Sequence, residues 1–374
     1  MIRNHKFIVI GEDYYNTLGA IRALGMCGIY SDFIAVKYKT RVASKSKYVG
    51  KTHLVETPYE AYDLLKKEYC GLQEKPFVIT AADDIQEMID DHYDELRKDF
   101  ILFNAGKNGR IKAFMDKKAI LDLAEKHGFK VLSTLVVERG IIPEEIEYPI
   151  ITKSISPNVG GWKKDVHICR SEEELLEAYK TIQSPQVLIQ KFIEKKNEYC
   201  LDGFTINQGK AMFVPTTTSY NYPIRGYYSP YMTVYPLDNR DMFLKLQNMM
   251  MEIGFEGIFS AEFLVDADGT FYFTEINFRF STWGYISAKL GMSIPYLWAE
   301  ATLSGVVNNN WYKPIPDHYT AMVEPIDYGK RVVEGTTSLA DWLIDFKNTN
   351  CTFYLEEKDL DPYYEMVENW KYLS

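Results

Sequence analysis

Residues 259–279 read FSAEFLVDADGTFYFTEINFR. Two runs with strand character flank the dipeptide Asp268-Gly269. Asp-Gly is a strong signal for a two-residue hairpin loop, because a type I′ turn needs positive φ at both central residues. With Asp268 and Gly269 as the loop, Ala267 pairs with Thr270, and counting outward sets Glu262 directly opposite Glu275. Two carboxylates facing each other across strands repel, and burial raises that cost or forces a proton onto one of them. The neighbours are apolar on both strands (Phe259, Phe263, Leu264 and Val265; Phe271, Tyr272, Phe273 and Ile276), so both faces of the hairpin are expected to be covered. A divalent cation relieves such a pair. Asn277, two residues beyond Glu275, projects from the same face and adds a neutral oxygen. Few protein oxygens, with positions left for phosphate and water, suit Mg²⁺. Arg279 continues that face and is placed to grip a phosphate or a carboxylate. A surface hairpin with its acids in water is the competing reading, and alternation alone does not separate the two.

Composition narrows the function classes. A chain of 374 residues is expected to hold two or more domains. The net charge of −10 argues against a general nucleic-acid-binding surface. No apolar run approaches the roughly 18 residues of a membrane span, and the run at 7–10 is too short for a signal-peptide core. The five cysteines are scattered without a C-x-x-C pattern, which points to neither a zinc site nor a disulfide framework. The expectation is a reduced, cytoplasmic protein. The histidines are as dispersed, and none is given a catalytic role.

Along the chain, FIVIG at 7–11, a helical run at 16–26 and a strand at 33–36 form a β-α-β start, the mark of a parallel sheet. The turn after Gly11 lacks G-x-G-x-x-G, which excludes a dinucleotide site there. Further strands are expected at 53–55, 76–80 and 100–104. Asp83-Asp84 follows at the ligand-binding end of such a sheet, although capping of the next helix, 85–93, is the favoured role. A helix is expected over 111–127, carrying Asp116-Lys117 and ended by Gly128. In the strand YPIITKS, Lys153 interrupts an apolar run and is costly unless it meets an anion. The loop SPNVGGWKK, 156–164, carries Gly160 and Gly161, whose backbone N–H groups suit a phosphate; a plain hairpin loop reads the same. SEEE at 171–174 is a capping pattern, VLIQKFI at 187–193 a strand, and 198–206 with 211–216 a hairpin. The tyrosine-rich segment 219–235 holds Arg225 at its centre; it either packs internally or shapes a pocket. Residues 331–374 carry no chemical reading.

Taken in order, these features resemble the ATP-grasp superfamily: Asp116-Lys117 on a helix, Lys153 in YPIITKS, the Gly160-Gly161 loop, VLIQKFI followed by Glu198, and Glu262, Glu275 and Asn277 as E-x₁₂-E-x-N followed by Arg279. The resemblance covers roughly residues 1–325 and looks nearest to the branch of carbamoyl-phosphate-synthase-like proteins and D-aspartate ligase. It implies an α/β fold with a Rossmann-like pre-ATP-grasp domain at 1–110, a lid lobe at 111–195, a C-terminal lobe with the metal site at 196–330 and an extension at 331–374. It implies that Lys117 and Lys153 contact ATP phosphates, that Gln190, Lys191, Phe192 and Ile193 form the hinge whose backbone holds adenine, and that Glu198 binds ribose. Glu262, Glu275 and Asn277 are then metal ligands for Mg²⁺, or Mn²⁺ in its place. Three departures stand out. Gln190 occupies a position where the family often has Glu, Phe278 replaces the proline common after the asparagine, and the glycine loop has only two glycines.

The activity that follows is ATP- and Mg²⁺-dependent ligation of a carboxylate to an amine through an acyl phosphate, on a small molecule or cell-envelope precursor. Arg279 and Arg225 would orient the substrate carboxylate. The partners implied are small-molecule carboxylates and amines, with no nucleic acid and no membrane span; a homodimer is the commonest soluble assembly. A bicarbonate-activating carboxylase or carbamoyl-phosphate-type enzyme is the alternative within catalysis, and a non-catalytic nucleotide-binding module the alternative outside it.

Overall fold

In the computed structural model, which describes residues 2–155, 161–224 and 229–370, sheet membership follows chain order. Strands β1 (Phe7–Gly11), β2 (Ser31–Val36), β3 (Val49–Val55) and β4 (Phe77–Thr80) form a parallel sheet in the order β3-β2-β1-β4. The apolar runs FIVIG and FVIT are buried on both faces, as a parallel sheet covered by helices requires. Strands β5 (Thr134–Glu138), β6 (Ile150–Lys153), β7 (Ile168–Cys169) and β8 (Gln186–Lys191) form a small antiparallel sheet, order β5-β8-β6-β7. The third sheet takes β9 (Asn197–Ile206), β10 (Ala211–Tyr220), β11 (Tyr231–Tyr235), β12 (Gly257–Val265), β13 (Phe271–Asn277), β14 (Thr320–Met322) and β15 (Cys351–Thr352) in the order β13-β12-β9-β10-β11-β14-β15. The mixed α/β architecture is the one expected. Residues 100–104 form no named strand and contribute only isolated bridges, Ile101 to Phe77 and Asn104 to Glu256.

The cores divide differently from the sheets. One continuous apolar cluster joins the inner face of the first sheet to the third; Trp298 stacks edge-on against both Phe77 and Phe103 at that junction. The small sheet keeps a separate core with the helix Glu172–Tyr179, built on Ile150, Leu175, Val187 and Ile189. Ser171 caps that helix, its hydroxyl accepting from the Glu174 N–H at 3.3 Å, as the SEEE pattern predicts.

Two local expectations are corrected. The helix predicted over 111–127 is two helices, Arg110–Met115 and Lys117–Lys126. Asp116 breaks it by leaving the helical region (ψ 122) and capping the second piece, its Oδ1 accepting from the Ala119 N–H at 2.8 Å. Lys117 therefore opens a helix rather than sitting within one.

The hairpin loop is also longer than predicted. Val265 pairs with Phe271 and the Asp266 N–H reaches the Thr270 carbonyl, so the loop has three residues, 267–269, with Gly269 at φ +78. Asp266 braces it, its Oδ1 accepting from the N–H groups of Asp268 and Thr270. A bulge between Glu262 and Phe263 then leaves Thr274 without a partner on β12, which restores Glu262 opposite Glu275.

The segment beyond residue 330 acts as a clasp. Strand β15 adds a parallel edge to β14, and the Glu324 carboxylate accepts from the N–H groups of Phe353, Tyr354 and Leu355. The fully buried Arg22, on the helix Tyr15–Gly25, donates to the Asp359 carboxylate at 2.8 Å and to the carbonyls of Phe353, Tyr354 and Asp359.

Candidate active site

A cavity of about 260 Å³ lies where the small sheet faces the edge of the third sheet. Lys117, Lys153, Gln190 and Glu275 all line it, together with Leu121, Ser154, Val166, Leu188 and Thr274. Four residues singled out for their chemistry, from four separate segments, thus meet at one place.

Lys153 ends β6, with its Nζ donating to Gln190 Oε1 at 3.0 Å; the Gln190 amide in turn donates to the Thr134 hydroxyl at 2.9 Å. Burial pushes the Lys153 ammonium down to about 8, helped by the Lys117 charge and resisted by Glu275 and Glu198. An ammonium recessed among few acceptors is poised for an anion. Alternation along β8 turns Gln190 and Leu188 toward this cavity and Lys191 to the opposite face, where it pairs with Glu147 at 3.1 Å beside a second cavity. The backbone N–H groups of Lys191 and Phe192 are given to the carbonyls of Ser133 and Pro149. Ile193 follows β8, is half-buried and is not among the residues lining the cavity with Lys153.

On the third sheet one face carries a polar row. Glu275 on β13, Glu262 on β12, Cys200 on β9 and Thr218 on β10 are successive cross-strand partners. Glu198 and Asp202, two residues either side of Cys200, share that face. The Glu262 carboxyl is held well above the usual carboxylate range, first by burial, then by Glu275 and Glu198. The competing reading of a water-facing pair fails here. Glu198 is already engaged, accepting from Lys195 and from the Tyr220 hydroxyl. Cys200 is buried and its thiol pushed well up by burial and by Glu262, so it is no nucleophile.

The far end of the row is a chain of hydrogen bonds. Asn277 Nδ2 donates to Glu262 Oε1 at 2.8 Å, and Arg279 Nη2 donates to Asn277 Oδ1 at 2.9 Å. Arg279 also grips Asp83 with two bonds, Nε to Oδ1 at 2.8 Å and Nη2 to Oδ2 at 3.1 Å. Asp83 was expected to cap the helix Asp83–Asp91; it does not, and its carboxylate reaches across to the third sheet instead.

The remaining expectations fare unevenly. Gly160 and Arg225 lie outside the described residues. The Gly161 N–H is spent on Asp165 Oδ2 at 2.9 Å, the same carboxylate that accepts from Gln183 and Ser184. Of the tyrosine-rich segment, Tyr222 donates to Asp327 and lies with Tyr231 under the Arg331 guanidinium. Asn221, Tyr222 and Tyr231 also line a cavity of about 530 Å³, so this part both packs and shapes a pocket. Asp202 was overlooked. It is buried, its carboxyl pushed up to about 6 by burial against hydrogen bonds from Ser281 and Ser260 and the Arg279 charge. Its Oδ2 and the hydroxyls of Thr216 and Thr218 lack partners among the described residues. The alternation Glu198, Cys200, Asp202 was the signal that could have found it.

The donor set suits a hard cation: two opposed acids, one of them held protonation-prone by burial and by the other, and an adjacent amide, all able to offer oxygen. Among the described residues no cluster of three or more His, Cys, Asp or Glu side chains gathers to hold a metal ion, so the candidate is this pair with Asn277.

Residues 114–292 match the family model described as the carbamoyl-phosphate synthase L chain, ATP binding domain. That matched segment, just under half of the chain, is similar to an ATP-grasp ATP-binding domain. Solved structures with the same fold include N5-carboxyaminoimidazole synthetase from Staphylococcus aureus (14% identity, 88% of this chain and 85% of that one, TM-score 0.65). L-amino acid ligase from Bacillus licheniformis is another (14% identity, 80% and 74%, TM-score 0.59). Rhizobium etli pyruvate carboxylase is a third (16% identity, TM-score 0.63); 83% of this chain aligns with it but spans only 30% of that much longer protein. Curated proteins yield no match. Among the described residues no helix is long and apolar enough to cross a membrane.

Proposed function

We propose that this chain is an ATP- and Mg²⁺-dependent carboxylate–amine ligase that forms an amide or peptide-like bond on a small molecule or cell-envelope precursor. The observation that carries the reading is one cavity in which Lys117 and Lys153 face Glu275, whose cross-strand partner is Glu262. ATP brings several negative charges, and phosphoryl transfer demands positioning and charge stabilisation more than covalent chemistry from the protein. The two lysines supply cationic contacts for the phosphates. Glu262, Glu275 and Asn277 would hold Mg²⁺, which neutralises charge on the transferring phosphoryl group. Asn277 must turn its oxygen from Arg279 to do so.

The substrate carboxylate attacks the γ-phosphorus, ADP leaves, and the amine displaces phosphate from the acyl phosphate, losing its proton as the amide forms. Nothing in this sequence needs a serine or cysteine nucleophile. Arg279, and Arg225 from the tyrosine-rich segment, would orient the acid. Glu198 is a ribose ligand only after exchanging its bonds from Lys195 and Tyr220. With the N–H groups of 191 and 192 already spent, the adenine contact falls to the carbonyls of 190–193 and the N–H of Ile193. The small sheet with its own core supports a lid within the proposed 111–195 lobe, whose first two helices pack into the main core instead, between a first domain at 1–110 and a C-terminal lobe at 196–330, with 331–374 as the clasp.

The deciding experiment is ADP release against panels of carboxylates and amines, bicarbonate included. The expected result is amine-stimulated ADP formation with one organic acid, lost in Glu275→Gln. Stimulation by bicarbonate alone would shift the reading to a carboxylase or carbamoyl-phosphate-type reaction. ATP binding without turnover under every pairing would leave a nucleotide-binding module.

A further inference from the structure

We propose that Asp83, at the carboxyl end of the first sheet, is a positioning residue that keeps Arg279 off the metal-binding acids; this rests on the ligase reading of the same site. Arg279 is flanked by three carboxylates. Asp83 takes two of its N–H donors in a bidentate grip at 2.8 and 3.1 Å, while the charges of Glu262 and Glu275 attract it from the other side. A guanidinium is planar, permanently charged and weakly hydrated, so it pairs readily with any carboxylate it can reach. If Arg279 settled on Glu262 and Glu275 it would neutralise the pair and occupy the place of the cation. Asp83 offers a competing fork and fixes the plane of the guanidinium.

The same bond fixes Asn277. Arg279 Nη2 serves both Asp83 and Asn277 Oδ1, and Asn277 Nδ2 serves Glu262. The first sheet thereby reaches the metal pair through three side chains in series. Among the described residues Arg279 Nη1 has no recorded hydrogen bond, which leaves one arm of the fork for an incoming carboxylate or phosphate. The link also explains why an acid stands in the first turn of the helix Asp83–Asp91 without capping it.

The test is a titration with Mn²⁺ alone, read by electron paramagnetic resonance, with thermal melting as the control for folding. Asp83→Asn should weaken Mn²⁺ binding about tenfold, the scale seen when an outer partner of a metal ligand is removed. Asp83→Glu, which keeps the fork, should recover most of it. Arg279→Ala should bind Mn²⁺ at least as well as the parent, and Asp83→Asn added to Arg279→Ala should cost nothing more. Parent-like binding by Asp83→Asn overturns the proposal. So does an equal loss in the Arg279→Ala background, since Asp83 would then act through its own field. A parent that binds Mn²⁺ and ATP but releases no ADP with any substrate overturns the ligase reading alone. A parent that binds neither overturns both.

Discussion

Lys153 stands in a four-stranded sheet with a small core of its own, whereas Glu275 stands in a seven-stranded sheet whose core runs on into the first sheet. The two walls of one cavity are therefore anchored differently. The small sheet that carries Lys153 can move as a unit without disturbing the main core, since a segment with few shared apolar contacts opens at low cost. The helix opened by Lys117, in contrast, packs into the main core through Ile120, Leu121 and Leu123. The wall that carries the acids is fixed by β12, β9 and the Arg279–Asp83 link. Such a division suits a site that must admit ATP and then exclude water from a hydrolysable intermediate.

Three measurements break or sharpen that contrast. The largest effect comes from discharging each wall. Lys153→Met and Glu275→Gln should each lower ADP release by about 10³-fold, the order seen when one preorganised charge-stabilising group is lost. The routes differ: the lysine variant should keep Mn²⁺ and lose ATP, the glutamate variant the reverse. If both lose the same ligand first, the walls are not separate.

A smaller effect is expected from pH. Free Lys153 loses its proton near 8, so ATP must find it charged, and affinity should fall about tenfold between pH 7 and 9. Lys153→Arg, which stays charged, should flatten that profile, and a profile unchanged by the substitution would remove Lys153 from phosphate binding.

The smallest effect concerns stability. Glu262 has its folded pKa raised, so the native state binds the extra proton and stability falls as pH rises through that raised value. Glu262→Gln should thus raise the melting temperature at pH 8 by about 2–4 °C for each kcal/mol of repulsion relieved. The gain should fade in acid, below the usual carboxylate range. A melting temperature lowered at every pH would show that Glu262 serves the fold rather than a cation.

How much of this was legible in sequence depends on how local each signal was. The opposed acids came out correctly although the loop was misjudged by one residue. The bulge at Thr274 compensates, and a count from the turn cannot see a bulge. The break at Asp116 was missed because 111–127 keeps an apolar helical period through it; only the capping competence of Asp116 marked the boundary. Lys153 was found because a lysine inside an apolar strand has few structural excuses. Asp83 was read as a cap because its true partner is 196 residues away. Local chemistry offers a good reason for an acid at a helix start, and nothing local reveals a better one. Residues 331–374 were opaque for the same reason, as Glu324, Arg22 and Asp359 acquire meaning only from each other.

That last group bears on how the chain reaches its native state. Arg22 lies on the first long helix and is sealed from solvent, yet its donors are met by residues 353–359. A buried guanidinium without its acceptors costs several kcal/mol. During synthesis the amino-terminal sheet can collapse early, but it cannot seal that helix until residue 359 has emerged. Ribosome-bound fragments ending before that point should hold the first sheet open to proteases at the Arg22 face, and the full set of strands should close together, late.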